Sequence, residues 1–225
     1  MTNLIVRILI LHLFLINSCM SQNDKKEVIS FDEQMEIFNS LGYKFNEGIN
    51  KDVIFSEMMR YDRTLKNPDS IFIEKPYERL YYYLGWQTPF SESTNYTNNC
   101  IWYDFEFIDS KSQYVNLMNR MGVITNGEIK FTDIKMSVDE ENYEWINFKA
   151  NGISKKWKLE KVGYISSNIF NFFAELNQEL NTNGKYTYYN DRSQQFVIDY
   201  ATEKEQAKFI KKTNLKRRWL SEGNH

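Results

Sequence analysis

The spacing of apolar residues changes along the chain, and this change limits the possible folds more than any other feature. In the first third, apolar residues recur every three or four positions, as in Phe31, Met35, Phe38 and Leu41, which is the spacing of one helix face. From Cys100 onward, apolar and polar side chains alternate, as they do in half-buried strands. Helices followed by a strand-rich middle and a mixed final part predict an α+β fold with an antiparallel sheet.

Local signals place the individual elements. Ser30 and Thr202 each precede a glutamate by three residues, which is the capping box that opens a helix. Asn151-Gly152 separates two apolar runs and is typical of a tight hairpin. The patterns predict helices over about 31–41, 51–61, 76–84, 112–121, 167–180 and 203–212, and strands over about 100–108, 129–138, 143–150, 153–159, 186–189 and 195–200.

These elements predict one antiparallel sheet of about five or six strands packed with helices. The N-terminal third is expected to be mainly helical, and residues 67–70 (Asn-Pro-Asp-Ser) are expected to form a turn. The sequence has no internal repeat, so residues 30–220 are predicted to form a single α+β domain.

The first eighteen residues have the layout of a secretory signal peptide. Arg7 is followed by an apolar run from Ile8 to Ile16 and then by small or polar residues. This run is about half as long as the roughly 20 residues that a membrane-spanning helix needs. We therefore predict that residues 1–18 are a signal peptide.

The end of this segment, Ile16-Asn17-Ser18-Cys19, resembles the lipobox of bacterial lipoproteins. The resemblance implies cleavage before Cys19, attachment of fatty acyl chains such as palmitate, and anchoring in the bacterial cell envelope, on a periplasmic or surface-facing leaflet. Residues 19–29 are mostly polar or charged and are predicted to be a flexible tether. A signal peptide cut elsewhere and an uncleaved anchor are the alternatives.

The scarcity of histidine and cysteine excludes several kinds of active site. His12, His225, Cys19 and Cys100 are the only such residues, so a Ser-His-Asp or Cys-His arrangement cannot be assembled within the domain. We expect no metal site and no cofactor, since zinc-ligand and glycine-rich phosphate motifs are absent from the sequence. Cys100 is expected to be buried. The net charge of −2 argues against nucleic-acid binding.

Asp104 and Glu106 are the weak candidates for catalysis. They lie two residues apart in a predicted strand, so their side chains are expected on one face, about 6–7 Å apart. A carboxylate pair of this kind is used by glycosidase-like hydrolases. The alternative is an ordinary polar strand face exposed to water.

Three aromatic residues, Trp102, Tyr82 and Trp86, are candidates for ligand or partner binding, because tyrosine and tryptophan are favoured anchors in interfaces. Residues 139–144 are acidic and residues 204–218 are basic. This separation of charge suits docking to a protein partner.

The sequence therefore favours a cell-envelope lipoprotein that is bound to the membrane by its acyl anchor. Its soluble domain is expected to bind another macromolecule, most simply a protein, without catalysis. The alternatives are a carboxylate-dependent hydrolase of an envelope polymer and an immunity-like protein that neutralises a toxin.

Overall fold

The structure is a computed structural model that describes residues 28–87, 94–104, 111–160, 168–190 and 195–222. Its α-helices are α1 (Phe31–Ser40), α2 (Lys51–Tyr61), α3 (Pro68–Glu74), α4 (Glu78–Leu84), α5 (Lys111–Ile124), α6 (Asn168–Glu179) and α7 (Glu203–Thr213). Its strands are β1 (Cys100–Asp104), β2 (Phe131–Val138), β3 (Glu144–Ala150), β4 (Ile153–Leu159), β5 (Lys185–Asn190), β6 (Gln195–Ala201) and β7 (Arg218–Trp219), and a 3-10 turn follows over Leu220–Glu222.

The strands form two antiparallel sheets, which confirms the predicted α+β class. One sheet has four strands in the order β1-β6-β5-β7, and the other has three in the order β2-β3-β4. The sequence patterns predicted a single sheet of five or six strands. The difference arises because β1 pairs with β6, placing Ile101 opposite Ile198. Among the described strands, β2, β3 and β4 pair with one another and not with this sheet.

The four-stranded sheet is covered on both faces. Along β6, Phe196 and Ile198 belong to one hydrophobic core, together with α5, α6 and the three-stranded sheet. Val197, between them, belongs to a second core formed with the N-terminal helices. Burial on both sides explains why these three consecutive residues are all apolar.

Aromatic rings fill the core between the N-terminal helices and the four-stranded sheet. The ring of Phe38 stacks on that of Tyr81 at a centroid distance of 5.9 Å, and Tyr81 lies 5.0 Å from Phe209 of α7. Tyr81 also lies 6.0 Å from Tyr189 of β5, so aromatic rings connect the N-terminal helices and α7 to the sheet.

Local signals placed most helix ends correctly. Both capping boxes are formed, at Ser30 of α1 and at Thr202 of α7. The predicted turn at residues 67–70 is wrong, because α3 begins at Pro68, a position where proline is favoured since no backbone donor is needed there. Helix α4 begins at Glu78, two residues after the expected Pro76.

The predicted hairpin between β3 and β4 is confirmed. Asn151 and Gly152 both have positive φ, of 48° and 83°, as the tight turn requires. Residues 1–27 lie outside the described residues, so the predicted signal peptide, Cys19 and most of the tether are not seen. Among the described helices, none is long and apolar enough to cross a membrane.

Candidate functional site

Two of the three predicted aromatic binding residues lie together. The rings of Trp86 and Trp102 have centroids 4.3 Å apart, and both side chains are partly exposed. Tyr82 does not join them, since it is only 6% exposed and packs near Tyr189, with a centroid distance of 6.0 Å. Tyr82 therefore contributes to the core beneath the helices.

The predicted carboxylate pair is not assembled in the described residues. Asp104 is the last residue of β1 and is partly buried. Glu106 lies outside the described residues, as does Cys19. The described residues therefore provide no support for the hydrolase hypothesis.

The tryptophan pair forms because the chain after α4 runs along the outer edge of β1. The Trp102 amide donates a hydrogen bond to the Gly85 carbonyl at 2.7 Å, which covers an otherwise open sheet edge. Gly85 permits this approach, because a Cβ atom there would lie 2.2 Å from the Trp102 nitrogen and 2.7 Å from the Ile101 carbonyl carbon.

Arg120 of α5 reaches the same carbonyl. Its Nη2 donates to the Gly85 oxygen at 2.8 Å, and its Nη1 donates to Oε1 of Gln87 at 3.4 Å. Arg120 is only 8% exposed, yet in the described part of the chain no carboxylate lies within 4.0 Å of its guanidinium. Burial lowers the pKa of Arg120 to about 10, so the group stays protonated at neutral pH.

Cys100 is buried, as predicted from the sequence, with 1% of its surface exposed. Burial raises the pKa of its thiol. Because the thiolate is the reactive form, Cys100 is an inert part of the core.

A buried ion pair joins β6 to the C-terminal segment. Arg217 Nη1 lies 2.5 Å from Asp199 Oδ2, and the Tyr43 and Tyr81 hydroxyls donate to the same oxygen. Burial raises the pKa of Asp199 to about 6, and the charge of Arg217 opposes that shift. Gln206 accepts from Arg217 Nε and completes the group.

The basic residues between 204 and 218 do not all lie on one exposed surface. Arg217 is only 4% exposed, so it contributes to the interior. Lys208 and Lys212 donate to Ser40 at the end of α1, with Nζ–oxygen distances of 2.6 and 2.8 Å. Part of the run therefore stabilises the packing of α7 against α1.

A groove of about 660 Å³ lies above the buried pair and includes Glu128 in its wall. Glu128 accepts hydrogen bonds from the Tyr200 hydroxyl at 2.9 Å and from the backbone amides of Asn183 and Gly184. Burial raises the pKa of Glu128, but these hydrogen bonds outweigh it and leave the pKa lowered. The carboxylate thus fixes the turn after α5 to the start of β5.

The outer face of the three-stranded sheet carries lysines around a tryptophan. Cross-strand pairing places Trp145 opposite Lys158 and Lys149 opposite Ser154. Lys156 Nζ lies 4.1 Å from the centroid of the Trp145 ring. We call this surface the basic face and define it by Lys135, Lys149, Lys156, Lys158 and Trp145.

Comparisons with known proteins give no match, so a function for this protein is inferred from the geometry of its structure. No family model, no curated protein and no solved structure matches the chain. Within the described ranges, no group of three or more His, Cys, Asp or Glu side chains is placed to hold a metal ion.

Proposed function

We propose that this protein is a lipid-anchored protein of the bacterial cell envelope whose folded domain binds an acidic protein partner without catalysis. The observation that carries the proposal is the basic face. The anchor rests on the lipobox-like residues that end at Cys19.

The four lysines of the basic face outnumber Asp133 and Asp139, whose carboxylates contact Lys149 and Trp145 of that face. Asp133 forms an ion pair with Lys149 at 2.8 Å. Lys156 and Lys158 are exposed, and neither forms a salt bridge within the described residues. These two ammonium groups are therefore available to carboxylates of a partner.

Aromatic rings hold the lysines in place. Lys158 Nζ lies 3.1 Å from the Tyr143 ring centroid and 5.8 Å from that of Trp145. The Trp145 indole donates to Asp139 Oδ2 at 2.8 Å, which fixes the ring. Cation–π contacts of this kind restrain flexible side chains, so binding would cost less side-chain entropy.

The face also has a simpler explanation that an experiment can separate from partner binding. Because β4 is an edge strand, its lysines would discourage pairing with other chains. Edge protection requires only charge of either sign, whereas an acidic partner requires positive charge. Reversing the charge therefore separates the two roles.

The partner is tested by site-specific photo-crosslinking of the full-length protein in its native membrane. A benzoyl-phenylalanine replaces Ser154, which is exposed beside Lys149, or Glu36, an exposed control position on α1. We expect a discrete protein adduct from position 154 only. A double variant, Lys156→Glu with Lys158→Glu, should abolish the adduct.

The matched control reverses two exposed lysines of α7, Lys204→Glu with Lys211→Glu, and should retain the adduct. The crosslinked partner must also bind more weakly as salt is raised, because exposed charges are screened. The proposal fails if the same adducts form from position 36, if charge reversal leaves the adduct, or if only lipid adducts form.

The anchor is tested separately by labelling with radioactive palmitate. Incorporation in the wild type that is lost in Cys19→Ala supports acylation at that residue. Label that persists in Cys19→Ala refutes it, without affecting the conclusion about the basic face.

A further inference from the structure

We propose that Arg120 binds an oxyanion, the carboxylate or phosphate group of a small ligand, at the edge of β1 beside the Trp86–Trp102 pair. This site does not involve the basic face, and it stands or falls independently of the proposed partner.

The charge of Arg120 is not compensated by any carboxylate in the part of the chain that the structure describes. A buried charge is costly unless it is paired and hydrogen-bonded. Arg120 is 8% exposed, and within the described residues its hydrogen bonds run to the neutral oxygens of Gly85 and Gln87. An oxyanion would supply the missing countercharge.

The two acceptors that Arg120 contacts do not need its guanidinium to be satisfied. The Gly85 carbonyl also accepts from the Trp102 amide at 2.7 Å. The Gln87 side-chain oxygen also accepts from Nδ2 of Asn116 at 3.2 Å. Removing Arg120 would therefore leave neither acceptor without a donor, so hydrogen-bond satisfaction does not explain why a charged residue lies here.

The groups around Arg120 have the chemistry that an oxyanion ligand requires. A guanidinium has five N–H donors in a planar fork that matches carboxylate and phosphate oxygens, and the two hydrogen bonds to Gly85 and Gln87 leave donors unused. Asn116 is exposed one helical turn before Arg120 and carries a second polar group. The partly exposed rings of Trp86 and Trp102 offer an apolar surface to the rest of a ligand.

The test titrates two simple anions, acetate and inorganic phosphate, into the full-length protein in a non-ionic detergent at pH 7. Sodium chloride keeps the ionic strength constant, and the thermal midpoint and tryptophan fluorescence are followed. We expect a saturable rise of the midpoint with at least one anion, since a ligand that binds the native state stabilises it. The anion with the stronger effect identifies the carboxylate or the phosphate as the recognised group.

Two arginine variants make the test specific. Arg120→Met should weaken binding by at least about tenfold, the loss expected for one charge-assisted hydrogen bond. Its midpoint in chloride should equal or exceed that of the wild type, because an uncompensated charge is gone. Arg63→Met removes an exposed arginine and should respond like the wild type.

The proposal is overturned if the wild type shows no saturable response to either anion, or if Arg120→Met responds as the wild type does. Should Arg120→Met fail to fold, Arg120→Lys provides the same test, because it keeps the charge and loses the planar fork. An unchanged anion response in Arg120→Lys would contradict recognition by that fork.

Discussion

Removing Arg217 should destabilise the domain by a large and pH-dependent amount. In Arg217→Met, the carboxylate of Asp199, which is 3% exposed, would keep only hydroxyl and amide donors such as those of Tyr43 and Tyr81. Breaking one side of a buried ion pair costs about 3–5 kcal/mol. Small domains are stable by only about 5–15 kcal/mol, so this loss is a large share of the total.

The pH dependence follows from the pKa of Asp199. Burial raises that pKa from 3.8 to about 6 in the folded wild type, so the folded state holds the proton more tightly than the unfolded state does. The stability contributed by this carboxyl is therefore present below its unfolded pKa and falls as pH rises through the folded value. Without the opposing charge of Arg217, the pKa rises further, and the variant should lose more stability at pH 8 than at pH 5.

Urea unfolding followed by tryptophan fluorescence measures both effects. The double variant Asp199→Asn with Arg217→Met should be more stable than the sum of the two single effects predicts, because it leaves no unpaired charge. A loss below about 1 kcal/mol in Arg217→Met, the range of an exposed ion pair, would refute this reasoning. Equal losses at pH 5 and pH 8 would also refute it.

Three further predictions concern packing and hydrogen bonds. Gly85→Ala should lower the free energy of unfolding by about 3 kcal/mol, because its Cβ would collide with the Trp102 backbone. In Gly127→Ala only the backbone φ of +88° is strained. A smaller loss in Gly85→Ala than in Gly127→Ala would contradict the steric explanation. The hydrogen bond from the Thr202 amide lowers the pKa of Glu205 below its usual 4.5. Glu205→Gln should therefore be less stable than the wild type at pH 7. The urea midpoints of the two proteins should converge as pH falls through the lowered pKa of Glu205. Glu128→Gln should cost about 1–3 kcal/mol, since hydrogen bonds to a charged group are lost; an unchanged urea midpoint would show that Glu128 does not fix the turn after α5.

Features that depend on neighbouring residues could be predicted from the sequence. The capping boxes at Ser30 and Thr202 and the turn at Asn151-Gly152 are formed, because each depends on only a few consecutive residues. The helix predicted over 167–180 is also formed as α6, and Phe170 and Phe173, which recur at helical spacing, are fully buried. Periodicity identifies such a face without knowledge of what packs on it.

Features that depend on distant contacts could not be predicted. The division into two sheets follows from the pairing of β1 with β6, which apolar spacing does not specify. Arg217 looked like one more cation in a basic tail, but its partner Tyr43 is 174 residues away. The position of Arg120 could have been noticed in the sequence. It lies between Met118 and Met121 on a helix with a buried face, where a charged residue is unusual.

Crosslinking from position 154 in the native membrane measures whether the basic face contacts an acidic protein partner. We expect one protein adduct at that position, which disappears when Lys156 and Lys158 are replaced by glutamate and persists when Lys204 and Lys211 are replaced. An adduct that survives reversal at Lys156 and Lys158 would contradict this expectation.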